Sequence, residues 1–188
     1  LAPTGNLDSN GLPIYGPVSS TNPANVTGQV GGFVARVSAS FTRPNNSTPY
    51  VVGQLVANNT AAGSVVPMSF AISRLAGKGG MIRRVRLRKT GVGITNASFR
   101  LHLYSVMPIP SNGDGGTWLT DQAGAYVGSM DVTCDRAFTD GASGNGVPNT
   151  GSEIIFTADT YYGLLEARAA YTPTAQEILT LLLEVVQN

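Results

Sequence analysis

Between Tyr50 and Tyr104 the chain runs as short apolar segments broken by turn residues, and no helical spacing of apolar positions sustains itself there. Tyr50-Val-Val-Gly-Gln-Leu-Val-Ala leads to a turn at Gly63, then Val65-Val-Pro-Met-Ser-Phe-Ala-Ile. After Gly77-Lys-Gly-Gly come Met81-Ile-Arg-Arg-Val-Arg-Leu-Arg-Lys and Asn96-Ala-Ser-Phe-Arg-Leu-His-Leu-Tyr. Short runs at period two, separated by glycine and proline, specify strands joined by turns. The chain is therefore expected to be all-β.

The same reading extends outward. A strand is expected from Phe33 through Phe41, then the turn Arg43-Pro-Asn-Asn-Ser-Thr-Pro49. Further strands fall near 50–57, 65–73, 81–90, 96–105, 125–134 and 153–158, with Leu164 to Tyr171 and Ile178 to Val186 last. Loops are expected at 107–124, which carries Trp118, and at Asp140-Gly-Ala-Ser-Gly-Asn-Gly146. Eight or nine strands suffice for a β-sandwich. The last segment is open to two readings. Thr174-Ala-Gln-Glu177 matches a helix capping box. Leu179, Leu181, Leu183 and Val185 share one face of a strand. The strand is favoured, because a lone final helix would need a layer that the rest of the chain does not supply.

Residues 1–33 differ from 34–188. Four prolines and six glycines recur there with one charge, Asp8. Proline opposes both helix and ladder, so an extended N-terminal arm is expected ahead of the sandwich domain. Leu12, Ile14 and Tyr15 are its candidate anchors, on a partner surface or on its own domain.

Charge narrows the function. Charged residues make up 12% of the chain, about half the usual share of about 25%. A polar, weakly charged surface suits packing against other protein. The charges are also segregated. No acid lies between Asp8 and Asp114, and ten of the twelve Lys and Arg fall in that interval. Alternation from Met81 puts Arg84, Arg86 and Arg88 on one strand face, with Val85 and Leu87 toward the core. The arginines then either pair across strands with late acids such as Asp131, Glu153, Glu166 or Glu184, or dock on an acidic partner. Nucleic acid is not the expected partner: the net charge is +1, the arm has no basic residue, and no basic-aromatic stacking motif occurs. No apolar run approaches the roughly 18 residues of a membrane span, so no membrane partner is expected.

Chemistry has few carriers. His102 is the only histidine and Cys134 the only cysteine. One cysteine excludes an internal disulfide, and Cys134 is expected to be a small buried side chain. His102 alternates with Phe99, Leu101 and Leu103 and shares a face with Arg100 and Tyr104, which suits a surface or interface polar residue. One histidine beside arginine is a poor start for a zinc site, and no nucleophile motif accompanies it. Gly77-Lys-Gly-Gly80 lacks phosphate-loop spacing and is expected to be a hairpin turn. The Asp140–Gly146 segment lacks the alternating carboxylates of a calcium loop. No enzyme activity, cofactor or metal is expected.

Tyr50-Val-Val-Gly-Gln-Leu-Val-Ala-Asn-Asn-Thr, Val65-Val-Pro-Met-Ser-Phe, Gly80-Met-Ile-Arg-Arg-Val-Arg-Leu and Phe99-Arg-Leu-His-Leu-Tyr, with Leu164-Leu-Glu-Ala-Arg-Ala-Ala-Tyr-Thr-Pro later, resemble the capsid decoration, or cement, proteins of tailed bacteriophages. The resemblance spans about residues 34–186. It implies a jelly-roll-like β-sandwich on the outer capsid surface, sitting as a dimer or trimer at a local symmetry axis and clamping neighbouring major capsid subunits. Such a protein is made in the host cytoplasm and ends in the virion. The alternative is a carbohydrate- or receptor-binding module of a phage tail or fibre, with Trp118, Tyr126, Tyr161 and Tyr162 as candidate groove aromatics.

Overall fold

A computed structural model describes residues 32–74, 76–91, 97–118, 125–149 and 151–187. The arm, with Leu12, Ile14 and Tyr15, lies outside the described residues. What is described is all-β: β1 (Phe33–Thr42), β2 (Leu55–Val56), β3 (Met68–Ala71), β4 (Gly80–Thr90), β5 (Ser98–Tyr104), β6 (Tyr126–Phe138), β7 (Gly141–Gly146), β8 (Ile154–Phe156), β9 (Thr160–Ala167) and β10 (Ile178–Gln187). They form one curled antiparallel sheet in the order β1-β10-β4-β7-β6-β5-β9-β2. Two strands lie off that path, β3 pairing β9 and β8 pairing β4.

Period two builds the core. Ile82, Val85 and Leu87 from β4 meet Leu179, Leu181, Leu183 and Val185 from β10, all but fully buried. Phe99, Leu101 and Leu103 from β5 and Tyr161, Leu165 and Ala167 from β9 complete the inner face, with Cys134 buried among them. The final segment is thus a strand. A smaller apolar cluster, Leu55, Ala57, Val65, Tyr104 and Leu164, forms with Trp118 and Tyr162 packed against it.

Two expectations need correction. The Asp140–Gly146 segment is not a loop: its residues 141–146 are β7, laddered between β4 and β6. Composition misled because β7 presents Ala142, Gly144 and Gly146 inward, where a backbone packs so closely that side chains have no room. That strand is the tenth beside the nine expected. Gly77–Gly80 is not a hairpin turn either, since β3 pairs with β9 and β4 with β10, β7 and β8. It links strands that are not ladder neighbours.

Two buried polar groups lock one end. Lys89 continues the inward parity of Val85 and Leu87, and its ammonium meets Glu177 at 2.8 Å with both side chains fully buried. Arg43 bonds Asp114 at 2.9 Å, and Asp114 also accepts from the Tyr50 hydroxyl and the Ala57 amide. The Tyr50 ring stacks on Tyr171. Asp114 thereby fastens its loop to the turn after β1.

Candidate functional site: a basic face with an apolar row

The outer face of β1, β10, β4 and β8 carries residues that register lines up. Val34 opposes Val186, Val186 opposes Met81, and Met81 opposes Ile155. Val34 (58%), Met81 (37%) and Ile155 (65%) are exposed, so the row is an apolar strip open to solvent. The next row is ionic: Arg36 and Arg84 flank Glu184. Arg84 holds one carboxylate oxygen through Nε at 3.0 Å and Nη2 at 2.6 Å. Arg36 approaches the other at 3.5 Å. The Arg84 bonds hold the Glu184 carboxyl below its ordinary range.

The structure places Arg84, Arg86 and Arg88 on that outer face, and gives each a partner within the chain. Arg84 takes Glu184, Arg86 takes the Asn145 side-chain oxygen at 3.2 Å, and Arg88 takes Asp140 at 2.9 Å. Cross-strand pairing also absorbs other late acids. Arg100 grips Asp131 with bonds of 2.6 and 2.8 Å and holds that carboxyl below its ordinary range. The segregation of charge along the sequence becomes alternation across the sheet.

Sequence reasoning missed Arg83. Strict alternation would point it inward with Val85. A β-bulge intervenes: Glu184 opposes Arg84 while Val185 opposes Ile82, leaving Arg83 unmatched. The extra residue turns Arg83 to solvent beside Arg84. The signal was present, because Ile82 and Val85 are both core residues three apart, which a strand allows only with one residue inserted. The bulge lies where the partner of β4 changes from β7 to β8. There a concavity of about 280 Å³ is lined by Arg83, Arg84, Val147 and Glu184.

A second polar group lies further along the same outer face, on β5 and β9. His102 is not a surface residue; it is nine-tenths buried, with Nε2 2.8 Å from Glu166 and its ring stacked on Trp118 at 4.2 Å. Trp118, in the segment between β5 and β6, stacks over it, which local sequence does not reveal. Glu166 also bonds Arg168 at 3.1 Å. Of the candidate aromatics, Tyr126 is exposed, Tyr161 is in the core, Tyr162 packs on the smaller cluster, and one face of Trp118 is taken by His102.

Burial lowers the His102 pKa from the ordinary 6.5, outweighing the Glu166 hydrogen bond, which acts in the opposite sense. The unfolded chain therefore binds this proton first as pH falls. The stability contributed is complete above 6.5 and is lost as pH falls through the depressed folded value. Denaturation midpoints should drop from neutral to mildly acidic pH, and His102→Gln should flatten that drop. An unchanged slope in the variant would assign the dependence elsewhere.

Against known proteins, no family model matches this chain and no curated protein matches it.

Proposed function

We propose that this chain is a structural virion protein that works by contact, decorating the outer surface of a phage head and clamping neighbouring major capsid subunits. One observation carries the reading: the row of exposed Val34, Met81 and Ile155 with half-buried Val186 lies directly beside the arginines of β1 and β4 on one sheet face. Protein interfaces are enriched in arginine and methionine and depleted of lysine and acids. On a symmetric shell many weak copies act through multivalency, which raises avidity by roughly 10²–10⁴ without new contacts. The glycan-binding alternative draws on fewer rings, since Tyr126 alone of its four candidates stands exposed.

Purified protein mixed with empty phage heads should co-sediment with them, less so as salt rises, because exposed charge attraction is screened. Retention on a glycan array, with no sedimentation on heads, would replace this reading with the alternative. The triple variant Arg84→Gln, Arg86→Gln, Arg88→Gln separates two roles. These partly exposed pairs each contribute about 0.2–1 kcal/mol to folding, so the variant should melt within a few degrees of the parent while its occupancy on heads falls. Normal occupancy with a clearly lowered melting temperature would leave the three arginines as internal pairing only.

A further inference from the structure

The bulge in β4 sets two consecutive arginines on one side of a strand, which an unbroken ladder forbids. Their situations differ. Arg84 is held by two hydrogen bonds to Glu184. Arg83 is exposed and, among the described residues, its guanidinium has no hydrogen-bond or ion-pair partner. It projects at the concavity with Val147, at the edge of the strip formed by Val34, Val186, Met81 and Ile155. Glu184 also lines it, already engaged by Arg84 and approached by Arg36.

We propose that this concavity is a receptor for a carboxylate on a protein partner. Arg83 would make the bidentate bond, Arg84 fixed by Glu184 would supply the second positive wall, and the apolar strip would take the partner's neighbouring aliphatic side chains. The proposal rests on the contact-protein reading and names the chemistry of what is contacted. Charge complementarity selects an acidic protein surface. Among the described residues, Arg36, Arg83, Arg84, Arg86 and Arg88 share this region with the paired acids Glu184 and Asp140 and with exposed Glu153 beside the Ile82–Ile154 pair, so five cations still outnumber three acids. A planar guanidinium matches a carboxylate oxygen for oxygen. The exposed strip beside it supplies an aliphatic contact that a phosphate backbone cannot use. Arg83 is the residue to test because changing it breaks no bond within the described chain.

The test titrates isotopically labelled protein with the peptide Ac-Glu-Val-Glu-Leu-NH2, followed through the arginine Nε–H and methionine methyl signals. The expected result is saturable movement of Arg83 Nε–H and the Met81 methyl group. The matched Gln-Val-Gln-Leu peptide should move neither. Arg83→Gln should weaken binding by about tenfold or more, the loss of one charge-assisted bond, at an unchanged melting temperature. Equal response to the glutamine peptide, equal or stronger response to inorganic phosphate or duplex DNA, or movement confined to other residues would each overturn the proposal. Sedimentation with phage heads separates it from the broader reading. Heads that bind parent and Arg83→Gln equally would refute this site as the contact while the capsid reading stands. Peptide binding at Arg83 with no binding to heads would refute the capsid reading while the receptor stands.

Discussion

Replacing Lys89 by methionine is expected to remove about 3–5 kcal/mol of stability. The ammonium is fully buried at the end of the inward series Val85, Leu87, Lys89 and lies 2.8 Å from the equally buried Glu177. Removing the cation leaves a carboxylate in an apolar interior without its counter-charge. Desolvation then has no compensating attraction, and the cost reflects the stranded charge rather than the value of the pair. In a domain of this size the melting temperature should fall by roughly 10 °C. The pair itself need contribute little. Lys89→Met combined with Glu177→Leu should recover most of the loss, because two apolar side chains of similar volume often match a buried ion pair. Thermal unfolding of the two single variants and the double variant completes the cycle. A Lys89→Met protein as stable as its parent would show that the charge is not desolvated. A double variant worse than either single would show that the two residues are not coupled.

That pair marks how far sequence alone reaches. Lys89 shares its phase with Val85 and Leu87, the two residues expected toward the core, so the same parity extends to it. The acid that neutralises it sits 88 residues away, just before β10. No local pattern links positions so distant. Strands β1 and β10, which alternate throughout, and β4, which alternates on either side of its bulge, were legible within a residue or so of their ends, because each turns one face to the core and a slip would expose it. Residues 50–57 were expected as one strand, but only Leu55 and Val56 ladder there. Arg84, Arg86 and Arg88 were legible as one face. Their intramolecular partners were only partly so: Glu184 was among the acids expected to pair, whereas Asn145 and Asp140 came from a segment read as a loop. Arg83 was missed and His102 misplaced for one reason. Each owes its environment to something that alternation does not encode, a bulge in one case and the stacked ring of Trp118 in the other.

Adding one methyl group to Gly144 is expected to cost about 3 kcal/mol or more, at the upper end of what overpacking a core does. Propensity argues the opposite. Glycine within a strand or helix is ordinarily a weakness, and alanine gains roughly 0.5–1 kcal/mol in its place. Geometry decides against propensity here. A Cβ on Gly144 would lie 2.0 Å from the Thr133 carbonyl oxygen and 3.1 Å from the Cys134 Cα. These atoms are backbone of β6, which is laddered to β5 on its other side and cannot retreat without disturbing that pairing. Gly146 meets the same obstacle, its Cβ falling 2.1 Å from the Asp131 carbonyl oxygen. The two glycines flank Asn145, whose exposed side chain projects to the opposite face and accepts a bond from Arg86. Asn145→Ala is therefore the matched control. It should cost under about 1 kcal/mol, the value of one exposed hydrogen bond. Denaturant unfolding of Gly144→Ala, Gly146→Ala and Asn145→Ala tests the contrast directly. If Gly144→Ala proved neutral or stabilising, β7 would have to lie further from β6 than described, and the case for a glycine strand threaded between β4 and β6 would fall with it. If both glycine variants lose stability while the asparagine variant does not, the segment Asp140–Gly146 owes its composition to close backbone packing, and its loop-like appearance in sequence is a consequence of that approach.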